Sequence, residues 1–185
     1  MNDALRTFGE ALRRDRTRRR KLCRRAGALA ALVTALGLTI AFRPAPRLLW
    51  NASTSAPIGL WSVAPNRPLK RGDMVVARLA EPWRELAARR RYLPANVPLI
   101  KRIAAEPGDR ICAVGADILV NGVRLARRLP RDRVGRLMPA WHGCRVLRDG
   151  AMLLLTDDPM SFDGRYFGPT AANAVIGKAT PIWLR

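Results

Sequence analysis

Hydrophobic and polar positions follow two patterns along the chain. From Ala26 to Phe42 apolar residues continue for 17 positions without a charge, which fits a helix crossing a bilayer core. Beyond it, short apolar runs alternate with Pro and Gly, the pattern of strands and turns. These runs predict strands over Ile58–Val63, Met74–Leu79, Pro98–Ala105, Arg110–Val114, Ile118–Val120, Val123–Leu125, Ala151–Leu155 and Ala179–Leu184. Between two of them stands Asn121-Gly122, a pair that tolerates the positive φ of a type I′ hairpin turn. Pro82–Arg91 is the one helix expected outside the long apolar run, with Pro at its start and Leu86 and Ala87 on one face, and is expected to be a surface excursion. Arg127–Gly143, with Pro130, Gly135 and Pro139 and no periodicity, reads as a loop or insertion. The fold class is therefore mainly β with one N-terminal transmembrane helix, and 185 residues suffice for one cored domain plus an appendage.

Charge refines this picture. Lys and Arg number 34 against 14 Asp and Glu, a net charge of +20, which alone suits either nucleic acid or an anionic membrane. Its location decides more: Met1–Arg25 holds ten basic and three acidic residues directly before the apolar run. The positive-inside rule then assigns residues 1–25 to a basic cytoplasmic arm, 26–42 to a transmembrane anchor and 43–185 to a periplasmic domain. A cleaved secretory signal would need a small-x-small site; Arg43-Pro44-Ala45-Pro46 follows instead, so a retained anchor is expected. A basic run beside an apolar helix needs no nucleic acid to explain it. Cys112 and Cys144 fall on the outer side, where they can pair or remain core thiols, and Cys23 on the cytoplasmic flank should stay reduced.

Rare residues limit the chemistry. A single histidine, His142, in a loop-like segment and no G-x-S-x-G elbow argue against a Ser-His-Asp triad. One histidine and three scattered cysteines do not make a metal set, and no cofactor is expected. A lysine base remains, and there are four lysines. Lys21 is on the cytoplasmic side, and Lys70 sits in a polar turn. Lys101 lies in an extended apolar run with Leu99 and Ile103 two residues away on its own face. Such surroundings disfavour the ammonium and lower the amine's pKa, as a general base requires. An edge-strand lysine guarding against aggregation would read the same way in isolation.

The wider context comes from Asn51-Ala52-Ser53-Thr54-Ser55-Ala56-Pro57-Ile58-Gly59-Leu60-Trp61, then Leu99–Ile103 with Pro107-Gly108-Asp109, and later Ser161-Phe162-Asp163-Gly164-Arg165-Tyr166-Phe167-Gly168-Pro169. In this order the segments resemble the boxes of the type I signal peptidase superfamily, and within it the conjugative-transfer subfamily called TraF. The serine segment is closer to that subfamily's S-x-P-x-G-L-Y than to the S-M-x-P-T of housekeeping signal peptidases. The resemblance implies a signal-peptidase-like β domain with Ser55 as nucleophile and Lys101 as general base. It implies that Ser53 supports the oxyanion, Ser161 orients the lysine, and Asp163 with Arg165 forms a structural ion pair beside the site. Gly164 departs from the serine more common at that position.

On this resemblance the chain is expected to be a serine endopeptidase of the bacterial inner membrane. It would process an exported precursor, a conjugative pilin subunit, with type IV secretion components as further partners and no required nucleic acid. A general signal peptidase is the alternative enzyme. A basic, non-enzymatic membrane component of a DNA-transfer apparatus is the alternative outside enzymology, and a self-cleaving repressor is disfavoured by the membrane segment. The distance also fits: 13 residues separate Ser55 from Phe42, so the nucleophile lies within roughly 43 Å of the anchor's end.

Overall fold

The computed structural model describes residues 2–41 and 47–185, which form two compact units, Met1–Pro44 and Ala45–Arg185. The first is one helix, α1 (Asn2–Ala41), which continues from the basic arm into the apolar run. At 40 residues it is about 60 Å long, roughly twice a hydrocarbon core. Among the described residues it is the one helix long and apolar enough to cross a membrane, through the 22-residue window Arg18–Thr39. That window starts earlier than the expected anchor. Phe42, its expected last residue, and the junction 43–46 lie outside the described residues.

The second unit is mostly sheet. Its larger sheet has six strands, β1 (Leu48–Asn51), β2 (Gly59–Ala64), β3 (Met74–Ala77), β4 (Leu99–Ala105), β9 (Leu153–Leu155) and β10 (Val175–Leu184), in the order β1-β2-β10-β3-β4-β9. The smaller has β5 (Arg110–Val114), β6 (Asp117–Val120), β7 (Val123–Arg127) and β8 (Gly143–Val146), in the order β7-β6-β5-β8. Every pairing is antiparallel. All eight expected strands form, with ends shifted by a few residues. The β6–β7 hairpin turns at Asn121 and Gly122, whose φ values of 49° and 84° are the positive angles that pair was expected to supply.

Side-chain alternation gives the large sheet two apolar faces. Trp61, Val63, Val76, Ile100 and Ala179 pack on one, while Val75, Ala77, Ile103 and Leu154 pack on the other. On the Leu99 side, Leu79, Ala87, Phe162 and Tyr166 close a further cluster. Ala87 belongs to α2 (Trp83–Arg89) and is buried. The helix is thus a packed wall, which corrects the expected surface excursion: Ala87, Leu86 and Trp83 face Leu99 and Phe162 rather than solvent. Arg127–Gly143 is irregular but tied down. Asp132 accepts from the backbone N–H groups of Val134 and Arg136 and from the Tyr92 hydroxyl, and Leu129 N–H donates to the Tyr166 hydroxyl at 3.1 Å.

Cys112 and Cys144 face one another across β5 and β8, with Cα atoms 4.0 Å apart, and are joined as a disulfide. The bridge pins the edge strand β8, whose four residues are all exposed. Replacing both cysteines by serine is expected to cost roughly 3–4 kcal/mol, the chain-entropy value for a loop of this length, read as a lower urea midpoint of the full chain in detergent. An unchanged midpoint would mean the strand pairing alone holds this edge.

Candidate active site

Three segments distant in sequence supply the site. Ser55 lies in the turn between β1 and β2, Lys101 in the middle of β4, and Ser161 in the loop between β9 and α3 (Gly164–Phe167). The Lys101 amine donates to Ser55 Oγ at 2.9 Å and to Ser161 Oγ at 2.6 Å. Ser53 Oγ is 2.8 Å from Ser55 Oγ, and Ser55 N–H donates to Ser53 Oγ at 3.2 Å. Four of the six residues carried over from the family resemblance, Ser53, Ser55, Lys101 and Ser161, are thus joined by hydrogen bonds.

The serine turn has a brace that the sequence reading did not single out. Asn51, at the end of β1, donates from Nδ2 to the carbonyls of Ser53, Ala56 and Pro57 at 2.9, 2.9 and 3.0 Å, while its Oδ1 accepts from Ser53 N–H at 3.1 Å. An Asn two residues before a Ser/Thr-rich stretch is the local signal for such an Asx-type turn. Gly59 then returns the chain into β2 where the Trp183 carbonyl lies so close that a Cβ would collide with its oxygen. Its φ of 151° also excludes most side chains.

Lys101 is 2% exposed. Among the described residues no carboxylate forms an ion pair with its amine, whose partners are the two hydroxyls. Desolvation is the main cause that lowers its pKa, to about 8; the Asp163 charge pulls upward and Arg165 opposes it. His142 is exposed, outside the cluster. Lys178 is paired with Asp73 at 2.8 Å, and the Lys70 segment is the polar turn expected of it, closed by Asp73.

Asp163 and Arg165 fix the loop that presents Ser161. Asp163 is fully buried and caps α3; its Oδ1 accepts from Arg165 N–H at 3.1 Å and Nε at 2.8 Å, and its Oδ2 from Arg165 Nη2 at 3.0 Å and Thr156 N–H at 3.1 Å. Arg165 also donates to the carbonyls of Thr156 and Pro159. A charge pair with its remaining hydrogen-bonding capacity used in this way is tolerated away from water. The glycine at 164 has a steric reason: a Cβ there would meet the Leu154 carbonyl oxygen at 2.7 Å.

Ser55 stands where two clefts meet. One, about 360 Å³, is bounded by Lys101, Ser161, the end of α2 and the Asp132 loop. The other, about 470 Å³, is bounded by Pro57, Met74, Arg102 and Asp157. A hydroxyl within reach of a desolvated amine, open to a groove on either side, can attack a peptide carbonyl without histidine or metal. That chemistry is the province of lysine-dependent serine hydrolases. The sequence model of the family described as signal peptidase, peptidase S26, matches residues 20–184, and the chain belongs to that family.

The chain is also similar to individual proteins named for conjugal or plasmid transfer. The chain is 31% identical over 168 residues to "Conjugal transfer protein TraF" of Agrobacterium fabrum, covering 85% of this chain and 91% of that one. It is 34% identical over 142 residues to "Probable conjugal transfer protein TraF" of Sinorhizobium fredii, covering 71% and 74%. "Plasmid transfer protein TraF" of Escherichia coli is 29% identical over 143 residues, covering 71% and 80%. Among solved structures, a signal peptidase I from Enterococcus faecalis overlaps 63% of this chain and all of its own, at 20% identity and a TM-score of 0.36.

Proposed function

We propose that the chain is a membrane-anchored serine endopeptidase that processes an exported precursor of a conjugation apparatus, most specifically its pilin subunit, through a Ser55–Lys101 dyad. The observation that carries this reading is the 2.9 Å contact between a buried, unpaired lysine amine and the Ser55 hydroxyl. Conjugation enters through the names of the relatives.

In the reaction, neutral Lys101 takes the Ser55 proton as Oγ attacks the scissile carbonyl carbon. Ser53 Oγ and the Ser55 N–H, bonded to one another before the reaction, stand beside the point of attack and turn to the oxyanion as it forms. As the C–N bond breaks, the Lys101 ammonium returns the proton to the leaving amine, leaving an ester on Ser55. Water, or the precursor's own amino terminus, then attacks the ester. Lys101 accepts that proton and hands it to the released Ser55 oxygen. Ser161 holds the amine in line throughout.

The N-terminus is cytoplasmic and the β domain periplasmic in this reading, supported by the basic arm before the apolar helix and by the Cys112–Cys144 bridge. Leu48, Trp50, Ile182, Trp183 and Leu184 form an exposed apolar edge where β1 and β10 flank β2. Tryptophans favour the bilayer interface, so this edge supports work at the membrane surface.

The test is the full chain in detergent micelles with a conjugative pilin precursor as substrate. Expected is a shortened product whose rate of formation rises about tenfold from pH 7 to pH 9 and then levels, because an amine with a pKa of about 8 is roughly one-tenth neutral at the lower pH and nine-tenths at the upper. The mass of the product separates a linear chain from a ring one water lighter. A rate flat across this range would remove Lys101 as the base.

A further inference from the structure

We propose that the cleft between Ser55 and the Asp132 loop contains an anion subsite that selects precursor segments carrying a carboxylate close to the scissile bond. The inference rests on the peptidase reading above and concerns what that peptidase recognises. Its wall is built from five arginines, Arg90, Arg91, Arg131, Arg133 and Arg136. The one carboxylate among them, Asp132, is already occupied: it holds Arg136 Nε at 2.7 Å, the N–H groups of Val134 and Arg136, and the Tyr92 hydroxyl. Asp158 lies on the Ser161 side of the cleft and accepts from Met160 N–H.

The remaining guanidinium groups form no ion pair among the described residues, and two of them are held in place. Arg90 donates to the Leu137 carbonyl at 2.8 Å and Arg131 to the Gly135 carbonyl at 2.6 Å, which leaves most of their five N–H donors free. Arg91 and Arg133 have no side-chain hydrogen bond among the described residues. Cations converging on a groove favour a negative ligand and repel a positive one.

The backbone adds an independent observation. Tyr92 N–H bonds the Ala87 carbonyl and Arg91 N–H the Ala88 carbonyl, which closes α2 with Arg91 in the left-handed position at φ 59°. Glycine is the residue that position favours. An arginine is kept there at a conformational cost, at a place where its side chain lines the cleft. A peptide is the ligand class that fits, because the same groove has an apolar floor at Leu99 and Phe162 and ends at the Ser55 hydroxyl. The carboxylate can belong to an Asp or Glu side chain or to the precursor's carboxyl terminus.

The experiment measures binding rather than cleavage, using the full chain carrying Ser55→Ala in neutral detergent. The probes are rhodamine-labelled alanine-serine peptides in which a single Glu is moved along the chain, the matching Gln set, and both sets with free-acid or amide ends. Expected is a Glu preference of at least about tenfold over Gln at one or two positions, or of acid over amide if the terminus is read. Arg91→Gly with Arg133→Gln should bring that preference close to one, whereas Arg110→Gln with Arg148→Gln, exposed positions outside the cleft, should keep it. Arg91→Gly alone should melt no lower than its parent, so a lost preference cannot be ascribed to unfolding. Equal binding of Glu and Gln sets and of acid and amide ends would overturn the proposal. So would an equal loss in the Arg110/Arg148 control, or abolition of the preference by phosphatidylglycerol in the micelles, which would assign the wall to lipid headgroups. Because Ser55 is absent from the assay, failure of the wild type to cleave any precursor would strike the peptidase reading and leave this result standing.

Discussion

Lys101→Met is expected to reduce precursor cleavage by at least about 1,000-fold, and Ser55→Ala by a similar factor, while the protein remains folded. The two effects should not multiply, since nucleophile and base act as one unit. Methionine has nearly the volume of the lysine stem, so the packing around Leu99 and Ile103 survives. Stability should be unchanged or higher at neutral pH, for a reason that can be worked through in sign. The folded-state amine, at about 8, releases its proton well before a free lysine does. Between about 8 and ~10.4 the unfolded chain therefore holds a proton that the folded chain lacks, and folding becomes more favourable as pH rises through that window. Below it the folded protein carries a buried ammonium at a cost on the order of 3 kcal/mol. Methionine removes this cost, against which stands about 1–3 kcal/mol for a Ser161 hydroxyl left without its donor. Cleavage assays and thermal melts of the full chain in detergent check both halves. Retained cleavage in either variant would dismiss the dyad, and a collapsed melting temperature would mean that activity was lost through unfolding instead.

The second large effect is expected at Asp163, which touches no reacting atom. Asp163→Ala leaves the Arg165 guanidinium, 2% exposed, without its counter-charge, and breaking a buried pair from one side costs about 3–5 kcal/mol. For a chain of this size that corresponds to roughly 10 °C in melting temperature. Removing both partners, as Asp163→Leu with Arg165→Met, should recover much of the stability, because no unpaired charge remains. Cleavage should stay low in both variants, since the loop that aims Ser161 at Lys101 is anchored through Thr156 and Pro159 by the same arginine. A double variant as unstable as the single one would show that local packing, rather than the orphaned charge, is what Asp163 protects.

Much of this architecture can be read locally. Period-two alternation around Lys101 already put Leu99 and Ile103 on its face, and Asn121-Gly122 announced its hairpin, because both signals depend on neighbours within a few residues. Strand β8 escaped notice for the opposite reason: Gly143–Val146 is exposed along its length and has no apolar alternation, so only pairing with β5 makes it a strand. The brief β1 was hidden by its nearness to the apolar run, and α2 looked like an excursion because its partners, Leu99 and Phe162, come later in the chain.

Sequence by itself determined the apolar helix behind its basic arm, the mainly β domain and the apolar face around Lys101, since residue type and local periodicity carry that information, while the resemblance of its motifs to a family pointed to the serines and the ion pair. Tertiary structure alone decided that Ser55, Lys101 and Ser161, separated by 46 and 60 positions, share one hydrogen-bonded centre and that two cysteines 32 residues apart are joined. It also decided that Asn51 braces the serine turn and that arginines just past α2 and from the Asp132 loop line one cleft. Desolvation, distance and convergence of charge are properties of what surrounds a group in space, and the chain's linear order does not contain them until the sheets have closed.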